Sequence, residues 1–333
     1  MSGVVRAALL VACALLAGCA IRPLPEDVAG VPTPVIVKQV RCETRQAAID
    51  LALGWLTDER NLAEKRVDQR GYEIGVEFRN GRPIQQFEPK LFQGHARDVL
   101  NTFFGTGVAA TFDLEMTEEN NLGTEINLLQ PFSSSNFTLG IKGKANRLRK
   151  NERVFTITDS FSGLLRLPDH YCSGASIGRD YTHLVGPNTI YPITGEIGVK
   201  GFIKDFINMT IFENLGGPKD KRDGPPTLVD ALEFQTVISG SVAPKIAFSG
   251  VRSGLQVSNA ALTGEATRTD LHKITMGLAV PGPGLPALAQ LRSYQYLPLL
   301  SAKPSTAAEA SAAEAVNQVL ALKLFRPTIV VSP

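Results

Sequence analysis

The chain has 333 residues, of which 44% are hydrophobic and 20% charged, and its 34 Lys and Arg nearly balance 32 Asp and Glu. This balance removes the broad basic footprint expected of a nucleic-acid binder, and the apolar content is too high for a disordered chain. Past residue 18 no continuous apolar stretch approaches the roughly 20 residues of a membrane-crossing helix, so the body is expected to be folded and soluble, as one large domain or two ordinary ones.

The N-terminal segment begins with a free amine and Arg6, runs through an uncharged apolar stretch from Ala7 to Ala17, and stops at Gly18, Cys19 and Ala20. A positive start, a short apolar middle and a small-residue end predict a cleaved secretory signal. A core helix would carry a polar face, and this run has none. The stretch Leu16-Ala17-Gly18-Cys19 also resembles the lipobox of bacterial envelope lipoproteins. The resemblance implies cleavage between Gly18 and Cys19, with a diacylglycerol on the Cys19 sulfur and an acyl chain on its new amine. Each buried methylene contributes about 0.8 kcal/mol, so several chains anchor a protein permanently. In that class an aspartate after the cysteine marks retention at the inner membrane. Ala20 stands there, which implies the outer membrane, with the body facing the periplasm.

Residues 19–34 hold four prolines and are expected to form an extended tether reaching up to roughly 45 Å. With Cys13 lost in the signal and Cys19 lipidated, Cys42 and Cys172 are the remaining thiols in an oxidising compartment. They are expected to pair, two separately buried thiols being the alternative.

In the body, 35–300, a strand is expected at "VIVKQV" (35–40). An amphipathic helix follows it, with Ala48, Ile49, Ala52, Leu53 and Leu56 on one face. From Gly107 to Leu165 the period changes to two. Phe112, Leu114 and Met116 alternate with polar residues; so do Thr124, Ile126 and Leu128, then Phe137, Leu139 and Ile141, then Phe155, Ile157 and Phe161. Turn-like sequences at "TEENNLG", "PFSSSN" and "RKN" divide these runs into four strands of an antiparallel meander. Turns centred near 120, 133–134 and 150 align Phe112, Leu128, Leu139 and Phe161 in a buried row. On the opposite face they align Glu115, Glu125, Lys142 and Thr158.

A helix is expected in "GFIKDFINMTIFENL" around Phe202, Phe206 and Met209, then a break and sub-boundary at 216–226 and a second meander over 228–280. The segment 301–333 begins with Thr306 and Glu309 as a capping box. A helix with Val316, Val319 and Leu320 on one side follows, and "TIVV" reads as a final strand. The expected class is α+β, mainly antiparallel β, with two meanders forming a sandwich or partial barrel and a helix from each end packed on them.

Chemistry is sparse. "GASIG" (174–178) matches G-x-S-x-G with Ser176 as the nucleophile, but that mechanism needs a buried strand before the serine and a helix after it, and neither is evident. His170 or His183 with Asp169 or Asp180 are partners by sequence proximity alone. The histidines, His95, His170, His183 and His272, show no metal-ligand spacing. Gly195, Gly198 and Gly201 do not match a phosphate-cradling loop. The leading expectation is a non-catalytic, lipid-anchored envelope protein that binds another envelope component or is structural. A carrier of an apolar ligand or lipid stands second, and a serine hydrolase a distant third.

Overall fold

A computed structural model describes residues 23–132, 135–172, 191–217, 225–247, 256–281 and 306–324. Nine helices and five strands lie among them. The helices are α1 (Glu26–Ala29), α2 (Thr33–Leu56), α3 (Glu59–Ala63), α4 (Gln69–Arg79), α5 (Gly94–Phe104), α6 (Phe161–Leu165), α7 (Asp169–Cys172), α8 (Val199–Phe212) and α9 (Thr306–Leu324). The strands β1 (Gly107–Pro131), β2 (Asn136–Ser160), β3 (Thr227–Val242), β4 (Lys245–Ala247) and β5 (Gln256–Ala279) form one sheet in the order β2-β1-β5-β3, with β4 also paired to β5. The class is α+β with a mainly antiparallel sheet and helices from both ends of the chain. Both strand-rich segments join this one sheet, which is open and not closed into a barrel.

Several local expectations are corrected. "VIVKQV" opens the 24-residue helix α2, because Ile36 and Val40, four apart, are both buried on one helical face. That burial outweighs the β propensity of valine and isoleucine. The expected tether contains α1, and from Pro23 onward its backbone is held: Asn151 Nδ2 donates to the Pro23 carbonyl at 2.8 Å, and Arg268 donates to that of Leu24. The four expected strands are two strands of 25 residues each. No turn occurs at 120 or 150, and Phe161 lies at the start of α6 and not in the strand row. The register centred on 133–134 holds. Lys142 reaches Glu125 at 3.5 Å, and Thr111 bonds Thr156 at 2.7 Å in the same frame.

The chain divides into two compact units. Unit 2 comprises 29–114, 153–236 and 271–333, and is built in three layers. On one face of the sheet Phe112 stacks on Phe155, with centroids 5.0 Å apart. Val40 and Thr44 of α2 and Leu164 of α6 close over Val108, Ala110, Phe112 and Met276. Phe206 of α8 meets Phe103 of α5 edge to face. On the other face α9 lays Ala312 and Val316 against Ala109 and Ala279. Here Gly277 matters, because a Cβ on it would lie 2.7 Å from the Ala312 carbonyl oxygen and 2.7 Å from a Val316 methyl. The Thr306, Glu309 and Leu320 side chains and "TIVV" lie outside the described residues.

The N-terminus of α8 has no cap of its own, since Gly198 precedes it at φ +83°, where a side chain would be strained. Glu43 of α2 supplies the acceptor. Its carboxylate takes the N–H groups of Ile197, Gly198 and Val199 at 3.0, 2.8 and 2.9 Å, while burial holds its pKa above the usual value.

Unit 1 comprises 1–28, 115–152 and 237–270. It holds the β1–β2 hairpin end, the end of β3, β4 and the start of β5.

Candidate functional site

The sheet of unit 1 has two chemically different faces, and period-two alternation creates them. Asn127 Nδ2 donates to Asn259 Oδ1 at 2.7 Å and to Glu125 Oε1 at 3.1 Å, and Glu125 faces Lys142. A Cβ on Gly123 would meet the Thr263 hydroxyl. Odd positions of β1 and β5 therefore share a face with even positions of β2. The hydrogen bond from Asn127, with Lys142 nearby, holds Glu125 below the ordinary carboxylate range. A groove of about 500 Å³ on this polar side is lined by Asn121, Glu125, Lys142, Lys144, Thr263 and Glu265, among others.

The opposite face is apolar. Ile246 of β4 pairs with Ala260 of β5, and Val242 of β3 packs where a Gly264 Cβ would sit. Following the alternation, Phe137, Leu139 and Ile141 of β2 stand beside Leu122 and Ile126 of β1. Leu262 of β5 and Ile238, Val242 and Ile246 of the β3–β4 edge continue the face. All nine are exposed, from 41% for Ile126 to 67% for Val242. Only Leu148, Val237 and Val257 are large, exposed and apolar on the polar side among the described residues of this unit.

A charged belt bounds the apolar face. Arg268 places Nε 2.8 Å from Asp270 Oδ1 and Nη1 3.1 Å from Glu118 Oε1; Glu118 also takes Arg149 at 2.9 Å. Asp27 of α1 lies 3.6 Å from the same guanidinium. Sequence reading missed this belt. Its signal was present, since Arg268 and Asp270 are two apart within a strand, on the parity that carries Leu262, Ile274, Met276 and Leu278.

Within unit 2 the Cys42–Cys172 disulfide is formed, with Cα atoms 5.5 Å apart and both residues buried. Arg41 grips Asp159 with two bonds of 2.7 Å and donates to the Tyr171 hydroxyl at 2.8 Å, and Arg45 pairs with Asp169 at 2.7 Å. Asp169 is thus a structural ion-pair partner, and His170 is exposed on α7. His95 lies against Trp55, and His272 is buried on Tyr191. Among the described residues no group of three His, Cys, Asp or Glu is placed to hold a metal. Ser176, His183, Asp180, Gly18 and Cys19 lie outside the described residues. Gly195 ends a short turn and Gly201 lies in α8. An apolar groove of about 310 Å³ runs beside Trp55, Phe103, Phe104, Ile203 and Ile207.

These features define an α+β protein with an open antiparallel sheet, covered by helices in one unit and amphipathic in the other. Residues 89–285, more than half of the chain, match the family described as uncharacterised protein y4kA. The y4kA protein of Sinorhizobium fredii (strain NBRC 101917 / NGR234) is 30% identical over 279 residues, which cover 82% of each chain. The chain belongs to the y4kA family. Among solved structures, the type II secretion system outer membrane complex of Klebsiella pneumoniae (PulD, PulS and PulC HR domain) aligns over 66% of this chain and 49% of its own, at 10% identity. Its TM-score of 0.17 is too low to indicate a shared fold.

Proposed function

We propose that the protein is a lipid-anchored, non-catalytic lipoprotein of the cell envelope, held at the outer membrane by acyl chains on Cys19 and engaging another envelope component. The observation that supports this reading most directly is the buried Cys42–Cys172 disulfide. Such bonds persist in exported chains and are rare in the cytosol, where thiols are kept reduced. The apolar face of unit 1 supplies the surface for engagement, since contiguous exposed apolar patches mark interaction sites. Growth with an alkyne fatty acid should label the wild type and leave Cys19→Ser unlabelled; equal labelling of the two ends the proposal.

A carrier of an apolar ligand is the second reading, favoured by the groove beside Trp55. At about 310 Å³ it reaches the lower end of the ligand-pocket range. Trp55 is the chain's only tryptophan and reports occupancy directly. Saturable quenching of its fluorescence by a brominated fatty acid, abolished in Ile207→Trp/Trp55→Phe where the groove is filled, supports the carrier. Linear, unsaturable quenching excludes it.

A further inference from the structure

We infer that unit 1 is one subunit's share of a transmembrane β-barrel, closed by several copies of this chain, with the apolar face in the membrane hydrocarbon and the polar face lining a water-filled lumen. The inference rests on the lipoprotein reading for its placement of the membrane, and three observations carry it.

The first is length. A β-strand crosses a bilayer in about 9–11 residues when tilted by about 45°. Residues of the apolar face run from Leu122 to Leu128, from Phe137 to Ala145, from Ile238 to Ile246 and from Ala260 to Ala266 on four neighbouring strand segments, seven to nine residues on each and close to that length. Apolar residues outward and polar residues inward with period two is the pattern of barrel walls. Among the described residues no helix is long and apolar enough to cross a membrane, which says nothing of strands whose residues alternate. Phe132 and Phe137, both exposed, flank the hairpin turn where a barrel carries an aromatic girdle.

The second is the anchor. Pro23 and Leu24 are bonded to Asn151 and Arg268, whose parities place them on the apolar side of the sheet, at the charged belt. Three residues separate Pro23 from Cys19, and a fully extended chain spans about 14 Å over those four steps. Acyl chains on Cys19 would therefore start within that distance of Pro23, which is held at the belt on the side of Leu139, Ile126 and Leu262. A belt of Glu118, Arg149 and Arg268 at that level suits the boundary between hydrocarbon and water.

The third is the open sheet. β2 and β3 end the strand order, and β4 carries the β3 edge forward beside β5. Unpaired strand edges are not tolerated in hydrocarbon, so a membrane-inserted sheet must close on itself. Four strands are too few, and further copies pairing β2 with the β3–β4 edge of the next subunit close the ring. Glu125, Lys142, Lys144, Asn127 and Thr263 would then face water in the lumen.

The test uses the full-length protein, expressed with its leader and purified from membranes without reductant. Single cysteines replace Leu139, Gly140, Ile141 and Lys142, each carrying a nitroxide in lipid vesicles. Residues 139 and 141 should collide several-fold more with oxygen than with an aqueous nickel chelate, and residues 140 and 142 the reverse. The detergent-extracted protein should be a multimer. Water access at all four positions overturns the barrel. So does shielding of 139 and 141 from both reagents, which would mean a protein partner covers the face. A monomer in detergent overturns it too. Alkyne-palmitate labelling of the same preparations reads the anchor separately. Labelled Cys19 without the alternation sinks the barrel and keeps the lipoprotein; the alternation without label does the opposite.

Discussion

Arg268 and Asp270 stand two residues apart on β5, on the same side of the sheet, and their side chains are closed on each other by bonds of 2.8 and 3.2 Å. The Asp270 side chain is only 1% exposed and that of Arg268 10%. Removing one partner from such a pair leaves an uncompensated buried charge, at a cost of about 3–5 kcal/mol. Arg268→Met should therefore lower the urea midpoint strongly, and adding Asp270→Asn should recover much of the loss. Since Arg268 also holds the Leu24 carbonyl, the single variant should become sensitive to proteolysis around residues 23–29. An unchanged midpoint would show that the pair is not formed.

Phe112 and Leu139 should respond in opposite ways. Phe112 is buried and stacked on Phe155, so Phe112→Ala should cost about 3–5 kcal/mol. Leu139 was expected in the same buried row, where an aspartate would be ruinous, but it is 43% exposed. In the unlipidated Cys19→Ser form, Leu139→Asp should change stability by no more than about 0.5 kcal/mol, as exposed substitutions do. Equal losses in the two variants would place Leu139 in a core.

The disulfide joins α2 to α7 across a sequence separation of 130. In the chain-entropy picture a loop of that size is stabilising by about 4–5 kcal/mol. Cys42→Ser with Cys172→Ser should lower the denaturation midpoint to match that of the reduced wild type. A reduced wild type as stable as the oxidised one would remove the bond from the account.

His95, in the first turn of α5, carries a pH signature. Burial lowers its pKa from 6.5, Arg66 lowers it further, and Asp98 opposes them; the Trp55 ring lies beside it with centroids 6.3 Å apart. The unfolded chain thus binds the proton more readily than the folded one. The stability contributed by neutral His95 is complete above pH 6.5 and is lost as pH falls through the depressed folded value. Denaturant midpoints measured downward from pH 6.5 should fall more steeply for the wild type than for His95→Gln. Parallel curves would show that the histidine is not desolvated.

Residues 128–142 were legible in the sequence because a single turn, "PFSSSN", fixes the whole register of a hairpin. The Glu125–Lys142 pair follows from it. "TEENNLG" and "RKN" misled, since polar residues read as turns when a strand is assumed to have one buried face. At the belt Glu118 and Arg149 neutralise each other, so the strands continue through it. "VIVKQV" misled because its spacing of four serves a helix, and six residues are too few to display the period. Alternation in unit 1 was visible, but exposure was not. A strand facing a core and one facing lipid have the same pattern.

The contact of Gly277 with Ala312 has a consequence for biogenesis. The layer formed by α9 comes from residues 306–324, which follow all five strands of the sheet in the chain. Until they arrive, Ala109, Ala279 and Val229 have no lid, and unit 2 cannot complete its core. A chain halted after β5 would therefore keep this apolar face of the sheet open.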